Sequence, residues 1–92
     1  MNAEWDPRKA EANFSKHGVR FSEALPVLED DLAITIIDSD SDETEARFVT
    51  VGMDAKARLL VVVYVVRGET YRIISARRAD QHEREEYEQE AR

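Results

Sequence analysis

Between positions 32 and 76 the chain sets short apolar runs between polar breaks, whereas its two ends space apolar residues as helices do. Near the start, Ala10, Phe14 and His17 recur at intervals of four and three, which predicts a helix over 7–17. Asp6-Pro7 supplies an N-cap carboxylate and a proline at the first helical position, and Gly18 supplies the left-handed stop. A tight GVRF connection leads to a second, short helix capped by Ser22 and running to about Glu29, with Ala24, Val27 and Leu28 inward. Pro26 limits its length.

Four strands follow. LAITIID (32–38) is β-branched and ends in the acidic turn-like stretch DSDSDETE (38–45). ARFVTVGM (46–53) alternates, with Val49, Val51 and Met53 on one face and Phe48 and Thr50 on the other. After a DAKA loop, RLLVVVYVVR (58–67) is apolar on both faces, the pattern of a central strand covered on both sides. Arg67-Gly68-Glu69 is a compact turn, and ETYRIISA (69–76) returns antiparallel. On that last strand, alternation sends Tyr71, Ile73 and Ser75 one way and Arg72, Ile74 and Ala76 the other; Arg77 and Arg78 lie just past its end. Asp80 and Glu83 form the capping box of a last helix. Its apolar stripe is little more than Tyr87 and Ala91, a weak reason to dock. The expected fold is α+β in the order ααββββα: two N-terminal helices, a four-stranded and mainly antiparallel sheet, and a C-terminal helix. All helices are expected on one sheet face.

Ninety-two residues hold one core, so 1–92 is read as a single domain. The absence of Cys excludes disulfides, zinc-thiolate sites and cysteine nucleophiles, and suits a reducing cytoplasm. The longest apolar run, residues 59–66, falls far short of the ~20 residues a membrane helix needs. The N-terminus has no apolar segment of the signal-peptide kind. A soluble, cytoplasmic protein with no membrane contact is expected.

Charge changes the picture more. The formal net charge is −7, yet residues 58–79 carry five arginines against Glu69 alone, a local balance of +4. The blocks 1–31, 32–57 and 80–92 balance at −3, −4 and −4. Overall acidity works against long-range attraction of nucleic acid, but a confined basic island can still hold an anion. Within the island, RIISARRA (72–79) gathers three arginines. Guanidinium forks match phosphate oxygens and stabilise charge that grows in a phosphoryl-transfer transition state. The alternative is that the arginines pair with the carboxylates of 38–45 and 83–90.

Other residues offer chemistry with a structural counterpart. His17 offers an imidazole, the side chain best suited to general acid or base work near neutral pH, but a histidine at a helix C-terminus is also favoured electrostatically. Tyr64 and Tyr71 can stack on bases; Tyr64, in an all-apolar strand, reads as core. Trp5 reads as a staple beside the first helix, or as an indole for base stacking. His82 reads as surface. Asp38, Asp40, Asp42 and Glu43 superficially resemble a calcium loop but lack its glycine and terminal glutamate, so no metal and no cofactor are expected.

Several of these pieces occur together elsewhere. WDPRKAEANFSKHGVRFSEA (5–24), the E-x-R-F segment (45–48), RLLVVV (58–63), and RIISARRA followed by ER and Tyr87 resemble, in order, the BrnT family. The resemblance runs over roughly residues 4–88. It implies a RelE-like fold and the toxin of a bacterial type II toxin–antitoxin pair. The implied activity is metal-independent endoribonuclease cleavage, with or without the ribosome, by activation of a ribose 2′-OH against its phosphate. The implied partner is a ribbon-helix-helix, BrnA-like antitoxin, whose dimer carries any DNA binding. Carried onto this chain, Arg67, Arg72 and Arg77 are the catalytic positions. Arg78, Lys16 and His17, together with Tyr71, are the RNA contacts. The chain departs from the pattern at Ser41 and Tyr64, where relatives carry histidines, so the proton-transfer group stays open. The alternative function is a non-catalytic module that only binds its antitoxin.

Overall fold

The apolar run at 59–66 lies in the middle strand of a five-stranded sheet. In the computed structural model, which describes residues 2–42 and 44–90, the elements are β1 Asn2–Glu4, α1 Pro7–His17, a 3₁₀ turn Phe21–Ala24, α2 Leu25–Leu28, β2 Ile34–Ile37, β3 Arg47–Met53, β4 Leu59–Arg67, β5 Thr70–Arg78 and α3 Gln81–Glu90. The sheet order is β1-β5-β4-β3-β2, antiparallel except for the parallel β1–β5 pair.

Three expectations change. The sheet has five strands, not four: Asn2, Ala3 and Glu4 pair with Thr70, Tyr71 and Arg72. NAE has no strand-like alternation, and it is a strand because the outer edge of β5 offers it backbone partners. Helices also cover both faces rather than one. Val19, Phe21, Ala24 and Val27 pack on Leu60, Val62, Tyr64, Ile73 and Ala76, while Tyr87 of α3 packs with Leu59, Val61 and Ala79 on the other side. Alternation along β4 separates these two sets, which is why both faces of that strand are apolar. Third, Ser22 does not cap the second helix. Arg20 holds the N-cap position of the 3₁₀ turn, and its N–H donates to Glu23 Oε1 at 2.8 Å.

Where β1 stops, Asn13 takes over the edge of β5. Its Nδ2 donates to the Ala76 carbonyl at 2.8 Å and to the Val19 carbonyl at 3.0 Å, and its Oδ1 accepts the Ala76 N–H at 3.1 Å. One buried amide thus fixes α1, its exit loop and β5 together. Asp6 caps α1 by accepting the Arg8 N–H, and Gly18 ends it at φ 69°, a conformation that favours glycine. Gly52 serves close approach instead. A Cβ there would meet the Val27 carbonyl oxygen at 3.0 Å, so α2 lies directly on β3.

α3 docks more firmly than its thin stripe predicts. The buried Tyr87 donates its hydroxyl to Asp30 Oδ2 at 2.7 Å, and the same oxygen accepts the Met53 N–H at 2.8 Å. Burial and that bond push the Tyr87 hydroxyl up to about 12. Burial alone would raise Asp30; the donors around it outweigh burial and keep its carboxyl below the usual range. Ala91, the other member of the predicted stripe, lies outside the described residues.

Candidate functional site

β5 carries one irregularity that decides which face each arginine occupies. Val63 pairs with Ser75 and Tyr64 with Ile73, leaving Ile74 as an extra residue in a bulge. Alternation is broken there, so Ser75 joins the face of Arg72 and Ala76 joins the face of Ile73, the reverse of a regular strand. β5 also continues to Arg78, so Arg77 and Arg78 lie within the strand rather than past it. Arg67, Arg72 and Arg77 share the α3 face; Tyr71 and Arg78 share the α1 face.

The α3 face has a capped end and an open end. One rung at the open end runs Arg47–Val65–Arg72–Glu4 across β3, β4, β5 and β1, and the next places Arg67 opposite Thr70. Arg47, Arg67 and Arg72 thus surround the buried Val65, with Arg67 and Arg72 diagonal neighbours roughly 7–8 Å apart. Each has a carboxylate. Arg67 Nε donates to Glu45 Oε2 at 2.7 Å, Arg72 Nη1 lies 3.5 Å from Glu4 Oε1, and Arg47 Nε lies 3.1 Å from Asp38 Oδ2. That last N–H is buried and off the line of a hydrogen bond, a donor short of a partner at the rim of the cluster. The hydrogen bond from Arg67 holds the Glu45 carboxyl below the usual carboxylate range, and Glu45 in turn raises Arg67. Glu45 is therefore ionised at neutral pH, beside two guanidinium groups.

The other expected residues lie elsewhere. Arg77 is about 13–16 Å further along β5, judged by the rise of a strand. Its Nη1 and Nη2 each donate to Glu83 at 2.8 Å, a bidentate clamp onto α3. Arg78 is exposed on the α1 face. Lys16 and His17 end α1, whose Asn13 and Ala10 pack toward the α1 face, so they do not join the arginine cluster. Tyr71 is half-buried and stacks on Tyr64, with ring centroids 5.4 Å apart. Tyr64 is core: its hydroxyl bonds Thr50 at 2.8 Å, and Thr50 bonds Thr35 at 2.8 Å. Ser41 closes the β2–β3 loop by donating to the Arg47 carbonyl and accepting the Arg47 N–H.

Charge counted along the chain misses Arg47, Glu45 and Glu4, because all three lie in acidic blocks. The signal that reaches two of them is the E-x-R-F segment, residues 45–48. Glu4 has no sequence signal, since it enters through β1. The acidic stretch between β2 and β3 is organised by its own turns: Asp42 Oδ1 accepts from the Thr44 N–H, the Thr44 hydroxyl and the Glu45 N–H. Glu43, also in that stretch, lies outside the described residues. Among the described residues, no group of three or more His, Asp or Glu side chains is placed to hold a metal ion, and no helix is long and apolar enough to cross a membrane.

Residues 5–83 match the family described as the ribonuclease toxin BrnT of type II toxin–antitoxin systems. The fold is similar to the 1.1 Å crystal structure of the ribonuclease toxin BrnT of Brucella abortus, with a TM-score of 0.70 and 26% sequence identity, covering 88% of this chain and 99% of that one. No curated protein sequence matches significantly. The family match takes in α1, β2 to β5 and the start of α3, with Arg47, Arg67, Arg72 and Glu45 inside it, and the chain belongs to the BrnT family of ribonuclease toxins of type II toxin–antitoxin systems.

Proposed function

We propose that the chain cleaves RNA internally, without a metal ion, at the open end of the α3 face. The observation that carries this reading is the convergence of Arg47, Arg67 and Arg72 around Val65, with the ionised Glu45 hydrogen-bonded to Arg67. Glu45 removes the proton of a ribose 2′-OH, and the 2′-oxygen attacks the adjacent phosphorus. The bond from phosphorus to the 5′-oxygen breaks, and that oxygen takes a proton from water. The products are a 2′,3′-cyclic phosphate and a 5′-hydroxyl. Arg67 and Arg72 hold the non-bridging oxygens as their charge grows, worth about 10²–10³ in rate for each such donor. Arg77 serves this site only indirectly, by seating α3.

The family places the chain beside an antitoxin, and we take that partner to be a ribbon-helix-helix protein in the cytoplasm that also carries any DNA contact. The test is incubation of the purified chain with RNA in excess chelator, followed by end-group analysis of the fragments. Cyclic phosphate ends that disappear in Arg72→Ala are expected; intact RNA with the wild-type chain overturns the proposal. The carboxylate already seated on each arginine favours one other reading, in which the cluster is structural and the chain only binds its antitoxin. That reading predicts tight antitoxin binding by a chain that leaves RNA whole.

A further inference from the structure

Across the β1 edge from the arginine cluster, the α1 side carries a groove of about 470 Å³ lined by Trp5, Glu11, Phe14, Arg20, Phe21 and Ser22. Trp5 meets Phe21 edge-on, with centroids 6.1 Å apart and planes at 80°, and is only partly buried. Phe14 is 39% exposed, an unusual position for a phenylalanine, and the Arg20 guanidinium lies 4.1 Å from its ring centroid. Among the described residues, Arg8, Lys9, Lys16 and Arg20, all on α1 or just after it, make no ion pair and are exposed. In a chain of net charge −7 this is a local surplus of positive charge without carboxylate partners, with Arg20 lining the groove beside the exposed Phe14 and the half-buried Trp5.

We infer that this groove receives an unpaired nucleobase of single-stranded RNA, stacked among Trp5, Phe14 and the Arg20 plane, while the α1 cations hold the flanking phosphates. Aromatic rings and guanidinium planes are the usual platforms for splayed-out bases, and each stacked base contributes substantially to affinity. Glu11 at the rim accepts hydrogen bonds from the exocyclic amino group of a base edge, which favours adenine, guanine or cytosine over uracil. The groove volume suits a single nucleotide, and its rim is polar at Glu11, Arg20 and Ser22; a docked amphipathic helix needs a longer apolar stripe. The site also abuts the cluster. Glu4 faces Arg72 on the α3 side, and the next residue, Trp5, turns into the groove. One RNA strand bent over β1 therefore presents a phosphate to Arg67 and Arg72 and a neighbouring base to Trp5. This rests on RNA being the substrate, as proposed above, but adds a second surface to it.

Trp5 is the sole tryptophan, so its fluorescence reports this groove alone. The probe is a short, unstructured oligoribonucleotide with 2′-O-methyl sugars, which cannot be cut, titrated onto the full chain. Saturable quenching is expected, about tenfold weaker in Phe14→Ala and in Arg20→Ala. Arg20→Lys keeps the charge and loses the stacking plane, so it falls between the parent chain and Arg20→Ala. Both side chains are exposed, and a thermal melt confirms that the variants fold. No quenching, or quenching indifferent to Phe14 and Arg20, overturns the inference; so does a Trp5 signal that responds to the antitoxin but not to RNA. Quenching by a chain that cuts no RNA leaves the groove standing and overturns the proposed cleavage. Cleavage without quenching does the opposite.

Discussion

The two sides of the β1–β5 edge hold positive charge in opposite ways. On the α3 side, Arg47, Arg67 and Arg72 each face a carboxylate supplied by a remote part of the chain: Asp38, Glu45 and Glu4. On the α1 side, Arg8, Lys9, Lys16 and Arg20 come from a block whose balance is acidic, yet none forms an ion pair among the described residues. The difference separates two jobs that charge does for a polyanion. Paired, fixed guanidinium groups are preorganised donors that need no reorientation when charge develops. Unpaired, mobile cations raise local attraction and contribute through counterion release, without fixing a geometry. A chain of net charge −7 needs both if it handles RNA.

The sharpest way to break this comparison is to remove a member of the paired cluster. Arg72→Ala and Glu45→Gln are each expected to lower RNA cleavage by about 10²–10³-fold with the thermal melt little changed, since exposed ion pairs stabilise weakly. A melt that collapses along with activity makes the cluster structural. The α1 side answers differently. Lys9→Ala with Lys16→Ala is expected to weaken RNA binding several-fold and to flatten the salt dependence by about 0.7 per lost phosphate contact, leaving the cleavage rate at saturating RNA unchanged. Binding measured across a salt series checks this.

Arg77 sharpens the comparison from the capped end of the same face. Arg77→Ala is expected to cost about 1 kcal/mol of stability through loss of the Glu83 clamp, with cleavage as in the parent chain. Denaturant midpoints and single-turnover rates read the two effects separately. The smallest expected effect is in pH. Arg67 holds Glu45 below the ordinary value of 4.5, so its carboxylate stays charged as pH falls through 4.5 and is lost only below that. A general base is competent when deprotonated, so the acid limb of the cleavage profile is expected below 4.5 and should rise toward it in Arg67→Ala. A limb that does not move removes Glu45 as the base.

Much of the fold was legible because its signals are local. Asp6, Pro7 and Gly18 mark the two ends of α1 through caps a few residues wide, and the bonds found there are those the residues predict. The apolar run at 59–66 reads as a central strand because both of its faces must be covered, and it lies in the middle strand. The arginine site was half legible. The basic island and the family resemblance single out Arg67 and Arg72 as candidates, but Arg47 and Glu45, which the structure brings beside them, lie inside acidic sequence. Counting charge by blocks hides a cluster assembled from three strands and a loop.

What the sequence by itself determined was most of the elements, the caps of α1 and α3, and the family, all carried by neighbouring residues and short motifs. Tertiary structure alone decided which faces and partners those elements acquired. β1 exists because β5 has a free edge, not because NAE prefers a strand. The bulge at Ile74 puts Arg77 on the face of Arg72, and a single extra residue leaves no mark in an apolar pattern. α3 docks through Tyr87 onto Asp30, and Asn13 holds Ala76, each bond joining residues far apart in the chain. The physical reason is common to all of these. Backbone edges, register shifts and long-range polar bonds depend on what the folded chain brings alongside, and one-dimensional periodicity carries no term for it.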